Sequence, residues 1–244
     1  MEFDAVILAG GRSSRLGGEP KSQLMYDGAT LLEVSLQAAR GARAVVVVGP
    51  DPGTLPTGVL TCREEPPFAG PAAAVAAGLS ALEAHYASRH QEGRQAPLTL
   101  VLACDMPRAD AAIRALVAVL EGEGAADASV PGAPGAPGDD GVMAVSADGR
   151  RQPLLGFYST AALQRAVAEN ARRGTLKNAS ASALLASLEV REARVPPGST
   201  DDVDTWDDAS ALGVAGRVPG HDPGDRSATP QLNSTLEANG EEPG

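Results

Sequence analysis

Residues 3–21, FDAVILAGGRSSRLGGEPK, carry the pattern that decides the fold. The first six residues of this stretch are mainly apolar, and Gly10 and Gly11 follow almost at once, which is typical of a buried strand that ends in a tight loop. Glycine lets the backbone approach a ligand closely and adopt positive φ, and successive N–H groups in such a loop form a concave anion site. The stretch therefore predicts a strand over Phe3–Leu8, followed by a phosphate-binding loop.

The side chains of this loop add positive charge and hydroxyl groups to the backbone amides. The cations would attract a phosphate group, and the hydroxyls can donate hydrogen bonds to its oxygens. Only two lysines occur among the 20 basic residues of the chain, and one of them ends the loop. A flexible surface loop is the alternative, because glycine often marks plain turns. The side chains concerned are those of Arg12, Ser13, Ser14, Arg15 and Lys21.

Two commoner glycine motifs do not fit the loop. A Walker loop places lysine directly after glycine, whereas Glu19 and Pro20 separate Gly18 from Lys21. The dinucleotide fingerprint G-x-G-x-x-G also fails, because Arg-Ser-Ser-Arg follows the first glycine pair.

Strand and helix patterns alternate along the chain after the loop. Near-continuous apolar strands joined by helices are typical of a mostly parallel sheet with helices on both faces, so we expect an α/β fold. Ligands of such sheets bind beyond the carboxyl ends of the strands, where both the glycine loop and Asp105 are expected. Thr30 is the expected N-cap of the first helix. The predicted strands after the first are 44–48, 59–62, 98–103, 127–130, 142–145, 153–158 and 188–195, the predicted helices are 30–40, 70–89, 109–120, 160–172 and 204–212, and a flexible loop is expected over 131–141.

The composition changes near residue 213. Residues 1–212 contain all the predicted strands and helices and are expected to form one domain. Gly, Pro, Ser, Asp and Glu dominate the rest of the chain, which cannot bury enough apolar surface to fold alone. We therefore expect a disordered acidic tail over 213–244.

Charge and composition exclude several classes of partner. The formal net charge is −11, so the chain has no general attraction for phosphate backbones, and no nucleic-acid partner is expected. No apolar run approaches the roughly 18 residues of a membrane helix, and the acidic N-terminus does not resemble a signal peptide. Cys62 and Cys104 show no zinc spacing, and two free thiols are typical of a reducing compartment, which predicts a cytoplasmic protein.

The glycine loop resembles the N-terminal signature of a family of nucleotidyltransferases that includes molybdenum cofactor guanylyltransferase. The signature residues are Leu8, Ala9, Gly10, Gly11, Ser13, Arg15, Gly17 and Lys21. Later segments resemble the family's base-side loop, its C-D-x-P motif, an acceptor-side segment and a motif before the last helix. These segments are 63–71 with Gly78 and Leu79, 104–107, 152–154 with Tyr158, and 202–205.

The resemblance implies a Rossmann-like three-layer nucleotidyltransferase fold that transfers GMP from GTP to molybdopterin and releases pyrophosphate. It implies that Arg15, Lys21 and Asp105 are catalytic, and that Asp105 binds Mg²⁺, with Asp204 as a second ligand. It also implies transient contact with the proteins that mature molybdoenzymes. The nucleotide-binding residues implied are Leu8, Ala9, Gly10, Gly11, Ser13, Arg15, Lys21, Glu65 and Asp105.

Several alternatives remain open at this stage. Asp105 could instead cap the helix that begins near residue 109, and Asp204 could cap the last helix. The base-side loop has Glu64 and Glu65 where the family usually has Asp, and Glu65 is the nearer match. The chain could also transfer CMP, use another small phosphate as acceptor, or be a catalytically weak accessory relative.

Overall fold

The computed structural model describes residues 1–11, 13–50, 53, 55–88, 95–122 and 140–216. The strand predicted over 127–130, most of the loop predicted over 131–141, and the tail from residue 217 lie outside the described residues. In chain order the elements are β1 (Phe3–Leu8), β2 (Met25–Tyr26), β3 (Ala29–Thr30), α1 (Leu31–Ala38), β4 (Val45–Val48), β5 (Leu60–Cys62), α2 (Pro71–Ser88), β6 (Leu98–Ala103), α3 (Ala109–Leu120), β7 (Gly141–Val145), β8 (Arg151–Ser159), α4 (Thr160–Arg172), α5 (Ala181–Leu185), β9 (Val190–Arg194), α6 (Trp206–Leu212) and β10 (Val214–Ala215).

One sheet of seven strands runs through the molecule in the order β5-β4-β1-β6-β8-β7-β9. β1 pairs in parallel with β4 and β6, β4 pairs in parallel with β5, and β7 pairs in parallel with β9. Among the described strands of this sheet, only β8 runs antiparallel to its neighbours. The sheet is mostly parallel, and the expected α/β fold is confirmed.

Helices cover both faces of the sheet because successive residues of a strand point to opposite sides. In β1, Ala5 and Ile7 belong to the core that α1 and α3 cover, whereas Val6 and Leu8 belong to the core under α2, α4 and α5. These three layers, with the sheet between two layers of helices, make the fold Rossmann-like. Within the described ranges, no helix is both long enough and apolar enough to cross a membrane.

Helix α2 approaches β1 closely at Gly78. A Cβ atom at this position would lie 2.6 Å from Cγ1 of Val6 and 3.1 Å from Cγ2 of Val48. Branched valine side chains are stiff at χ1, so they cannot move aside cheaply. Gly78 therefore sets the distance between α2 and the two strands β1 and β4.

A buried carboxylate fixes the amino end of β1. Asp4 is fully buried, and its Oδ1 accepts hydrogen bonds from the Ala44 amide at 3.2 Å and the Tyr86 hydroxyl at 2.7 Å. Its Oδ2 accepts a third bond from the Ala96 amide at 2.9 Å. Because a buried charge is stable only when it is hydrogen-bonded, these contacts hold β1 against the start of β4, against α2 and against the segment before β6.

The domain continues past the boundary expected from composition. Gly213 ends α6 in the left-handed conformation, and β10 then pairs antiparallel with β2, which also pairs with β3. Val214 is buried in a cluster with Leu16 and Leu212. The described part of the chain thus extends four residues past the predicted boundary at 212, through a two-residue strand that leaves no periodic pattern in a sequence.

The ends of the helices follow from local capping. Thr30 caps α1 as predicted: its hydroxyl oxygen accepts a hydrogen bond from the Glu33 amide at 3.1 Å, and the Glu33 carboxylate accepts one from the Thr30 amide at 2.7 Å. The unpredicted helix α5 begins after Ser180, whose side chain accepts from the Ala183 amide. A helix of five residues is too short to be recognised from its apolar spacing alone.

We expect the substitution Gly78→Ala to destabilise the fold. Alanine favours a helix over glycine by about 1 kcal/mol, but forcing a methyl group into a packed core costs roughly 1–3 kcal/mol. The free energy of unfolding, measured by urea denaturation, should therefore fall. Ser80→Ala, at an exposed position of the same helix, is the control and should be neutral or slightly stabilising. A Gly78→Ala protein as stable as the wild type would contradict the packing argument.

Candidate active site

At the start of the glycine loop, the backbone after β1 lies very close to the backbone at the end of β4. The Ala9 amide donates to the Val48 carbonyl at 2.8 Å, and a Cβ atom on Gly49 would lie 2.9 Å from the Gly10 nitrogen. Only glycine fits here, because any side chain at residue 49 would collide with the loop backbone. Gly49 is therefore a residue that the loop itself requires.

The loop then turns through left-handed backbone. Ser13 has a φ of +41° and Gly17 a φ of +69°, and the Ser13 carbonyl accepts hydrogen bonds from the Leu16 and Gly18 amides at 3.0 Å each. These bonds close a turn around the 3₁₀ helix at Ser14–Leu16. Arg12, which the sequence places in this loop, lies outside the described residues.

A cavity of about 410 Å³ opens at this loop. The amides of Gly10 and Gly11 make no hydrogen bond to the described part of the chain and are available to an anion. By contrast, Leu8 is buried at the end of β1, and its carbonyl accepts from the Cys104 amide at 3.0 Å. The residues that line the cavity are Ala9, Gly10, Gly11, Ser13, Gly18, Pro20, Lys21, Pro50 and Phe68.

Three carboxylates meet beside the cavity. Asp105 follows β6, and Asp202 and Asp204 belong to the segment before α6; one oxygen of each lies within 4.8 Å of the others. The Val203 amide donates to the Asp105 carbonyl at 3.0 Å and thereby holds that segment against the end of β6. Carboxylate oxygens are the hard ligands that Mg²⁺ prefers, so the chemistry of this cluster fits a divalent cation.

Lys21 is clamped between two of these carboxylates. Its Nζ lies 2.8 Å from Oδ2 of Asp105 and 2.5 Å from Oδ1 of Asp204, and an Arg15 guanidinium nitrogen lies 3.7 Å from the other oxygen of Asp204. Burial alone lowers the pKa of Lys21, but attraction to Asp105 and Asp204 outweighs it, so this pKa is raised above its ordinary value. Lys21 is therefore a fixed cation at the edge of the cavity.

Sequence reasoning missed Asp202 as part of this cluster. Burial and repulsion from Asp105 and Asp204 raise the pKa of its carboxyl. The signal was present in the alternation of acid, valine and acid at 202–204, since Val203 is fully buried and its two neighbours point away from the core.

The two capping alternatives for the acids are wrong. The N-cap position of α3 is Arg108, so Asp105 does not cap this helix. Thr205 caps α6, with its hydroxyl accepting from the Asp208 amide at 3.2 Å. Asp105 and Asp204 therefore direct their carboxylates to Lys21 and not to a helix end.

The two glutamates of the base-side loop have different environments. Glu64 is buried, and its carboxylate accepts a hydrogen bond from the Phe68 amide at 2.8 Å. Glu65 is exposed and makes no hydrogen bond to the described residues. Glu64 thus supports the loop, and Glu65 is the glutamate left available to a ligand. Phe68, which sequence reasoning also missed, lies in the wall of the cavity.

The acceptor-side segment forms an irregular part of β8. The pairing of β7 with β8 shifts register between Met143 and Ala144, which places three extra residues between Gln152 and Gly156. The fully buried Tyr158 donates its hydroxyl to the Pro153 carbonyl at 2.9 Å and stabilises this bulge. Tyr158 therefore acts as a support, whereas Gln152 lines a second, smaller cavity that also reaches Asp202.

Both cysteines are free thiols, as expected. Cys104 is buried, and burial together with the charge of Glu64 raises the pKa of the half-buried Cys62 to about 11. Thiols with raised pKa values are poor nucleophiles at neutral pH, so neither cysteine suits covalent catalysis.

Comparison with known families identifies the fold of this site. The family model described as the MobA-like NTP transferase domain matches residues 5–191. The chain belongs to this family. It is therefore a nucleotidyltransferase with a nucleoside triphosphate as substrate. No curated protein sequence matches the chain.

Solved structures share the fold at low sequence identity. Molybdopterin-guanine dinucleotide biosynthesis protein A from Archaeoglobus fulgidus is 18% identical with a TM-score of 0.52, and the match covers 86% of this chain and 96% of that one. The 2-C-methyl-D-erythritol 4-phosphate cytidylyltransferase from Thermus thermophilus is 23% identical, with a TM-score of 0.55 and coverages of 87% and 98%. The corresponding enzyme from Francisella tularensis is 13% identical, with a TM-score of 0.60 and coverages of 87% and 99%.

We expect Lys21→Met to strengthen divalent-cation binding in the absence of nucleotide. The Lys21 ammonium neutralises the carboxylates that a metal would use, and removing one charge at this distance in a half-exposed site should change affinity by roughly tenfold. Electron paramagnetic resonance of free Mn²⁺, titrated into the protein, measures this affinity. Lys177→Met removes the only other lysine, which is exposed, and should leave Mn²⁺ binding unchanged. Equal or weaker Mn²⁺ binding by Lys21→Met would contradict the competition.

Proposed function

We propose that the protein transfers GMP from GTP to the phosphate group of molybdopterin and releases pyrophosphate. The observation that carries the proposal is one sheet edge that combines a cavity with available amides, a fixed lysine and three carboxylates. Such an edge provides both anion recognition and sites for a divalent cation. The choice of GTP and molybdopterin rests on the likeness of the signature segments to molybdenum cofactor guanylyltransferases.

In the proposed reaction, an oxygen of the acceptor phosphate attacks the α-phosphorus of GTP. The bond from this phosphorus to the bridging oxygen breaks, and its electron pair leaves with pyrophosphate. A phosphate monoester is already ionised at neutral pH, so no general base is needed. The protein contributes by placing the two groups in line and by stabilising charge, as phosphoryl-transfer enzymes generally do.

Each part of the edge has a role in this scheme. The amides of Gly10 and Gly11 and the side chain of Ser13 donate to the triphosphate. Arg15 and Lys21 stabilise the negative charge that develops on the leaving pyrophosphate, Lys21 by exchanging a carboxylate partner for a phosphate oxygen. The exposed carboxylate of Glu65 accepts hydrogen bonds from the guanine N1–H and amino group.

Asp105 and Asp204 are the proposed ligands of Mg²⁺, with Asp202 beside them. When bound, the ion neutralises phosphate charge and favours in-line geometry. We propose that the enzyme acts in the cytoplasm and passes its product to the proteins that mature molybdoenzymes.

Pyrophosphate release tests the reaction directly. The four nucleoside triphosphates are supplied in turn with Mg²⁺, with and without molybdopterin, and release is measured by a coupled assay. We expect release with GTP, only when the acceptor is present. Release with CTP would change the nucleotide but not the chemistry, and no release with any nucleotide and molybdopterin would refute the proposed reaction.

Asp105→Asn should lower the turnover number by a factor of about 100 or more, because it removes a charged ligand while keeping the shape of the side chain. The same assay at saturating GTP and Mg²⁺ measures this loss. Asp110→Asn changes an exposed carboxylate of α3 that pairs with Arg114, and it should leave turnover unchanged. Near-normal turnover in Asp105→Asn would contradict the assigned role.

A further inference from the structure

Phe68 is a large, partly exposed aromatic residue at the cavity wall. The chain has three phenylalanines: Phe3 and Phe157 are buried, whereas the side chain of Phe68 is 41% exposed. An exposed aromatic residue beside a ligand cavity offers apolar surface that a bound ligand can contact. Phe68 lines the cavity at the glycine loop together with Ala9, Gly10 and Pro50.

The backbone of Phe68 adopts a conformation that phenylalanine disfavours. Its φ is +63°, in the left-handed region where a bulky side chain is an outlier. The buried carboxylate of Glu64 accepts a hydrogen bond from the Phe68 amide at 2.8 Å and holds this conformation. Strained residues that the surroundings hold in place cluster at ligand sites.

A cation fixes the ring itself. The guanidinium carbon of Arg63 lies 5.2 Å from the centroid of the Phe68 ring, within the range of a cation–π contact. Glu64 thus fixes the main chain, and Arg63 restrains the side chain. Both act on a residue that lines the cavity and is partly exposed.

We infer that Phe68 is the surface on which the nucleobase of the substrate stacks, and that it favours purine over pyrimidine nucleotides. The inference rests on the proposed function, in which a nucleoside triphosphate occupies this cavity. Base–aromatic stacking stabilises every base, because every base has a π-face, and a purine offers the larger area for contact. Phe68 supplies affinity and selects the size of the base, while Glu65 recognises its edge.

Glu64 is a positioning residue in this arrangement. It does not touch the base; it holds the Phe68 amide so that the ring stands in the cavity wall. Glu64→Gln keeps a carbonyl oxygen that can accept the same hydrogen bond, and it should retain nucleotide affinity. Glu64→Ala removes the acceptor and should weaken binding in the same direction as loss of the ring.

Calorimetry with non-hydrolysable analogues of GTP and CTP, in the presence of Mg²⁺, measures the stacking contribution. Phe68→Leu keeps an apolar side chain but removes the ring, and we expect it to weaken GTP-analogue binding at least tenfold and CTP-analogue binding less. Phe68→Trp should retain binding of the GTP analogue. Trp206→Leu removes an aromatic side chain that is 43% exposed and does not line the cavity, and it should leave both affinities unchanged.

Fluorescence separates stacking from a purely structural role. The chain has one tryptophan, so Phe68→Trp combined with Trp206→Leu leaves a single indole at the cavity wall. Binding of the GTP analogue should quench its emission, because a guanine stacked on indole quenches fluorescence. Thermal melting of each variant identifies those that fail to fold, and Phe68→Trp keeps the test valid if Phe68→Leu is one of them.

The outcomes separate this inference from the proposed function. Wild-type affinity for both analogues in Phe68→Leu, or binding without quenching in the doubly substituted protein, overturns the stacking role even when the wild type releases pyrophosphate. Conversely, wild-type protein that binds the GTP analogue but releases no pyrophosphate with molybdopterin refutes the proposed reaction, and the Phe68 variants still decide the inference. Wild-type protein that binds no nucleotide overturns both.

Discussion

The double ion pair of Lys21 with Asp105 and Asp204 is the interaction on which the site depends. It joins three segments that are far apart in sequence: the end of the glycine loop, the end of β6 and the segment before α6. The half-buried ammonium is held by both acids, and without it three carboxylates would repel one another in a small volume. The ion pairs that hold these three segments together therefore also place the Lys21 ammonium next to the phosphate cavity.

The register of the sheet explains why these segments meet. Leu8 is level with Val48 on one side and with Ala103 on the other, so β1, β4 and β6 end together. The chain beyond each strand then contributes to one edge: the glycine loop, Gly49 and Asp105. Because parallel strands present their carboxyl ends on the same side, a shift of β1 or β6 would separate the Asp105 carboxylate from the loop. Close packing at Gly78 and the buried Asp4 contacts stabilise this alignment from the face and from the far end.

The sequence predicts what strong local patterns specify and misses what depends on tertiary contact. The apolar run at 3–8 and the capping residue Thr30 each specify an element through short-range physics, and both predictions are confirmed. The two-residue strands β2 and β10, which pair with each other, have no such pattern, because tertiary packing alone stabilises them. Glu64 and Glu65 are chemically alike and adjacent, so only burial distinguishes the one that supports the loop from the one that faces solvent. In the sequence Phe68 is an ordinary apolar residue. Its exposure and its place in the cavity wall depend on the tertiary structure.

Electrostatics explain how an acidic protein can favour a polyanionic substrate. The net charge of −11 and the three clustered carboxylates oppose the approach of a free triphosphate. Lys21 already neutralises part of the cluster and Arg15 contacts its outer edge, so both cationic side chains described in the glycine loop are paired with carboxylates. A triphosphate that arrived with a divalent cation, as proposed, would change this balance, because Asp105 and Asp204 would hold the cation and leave Lys21 available to a phosphate oxygen. Under the proposed function this arrangement would favour the metal-bound nucleotide over the free one through charge balance, while the available amides of the glycine loop would add affinity that carries no net charge.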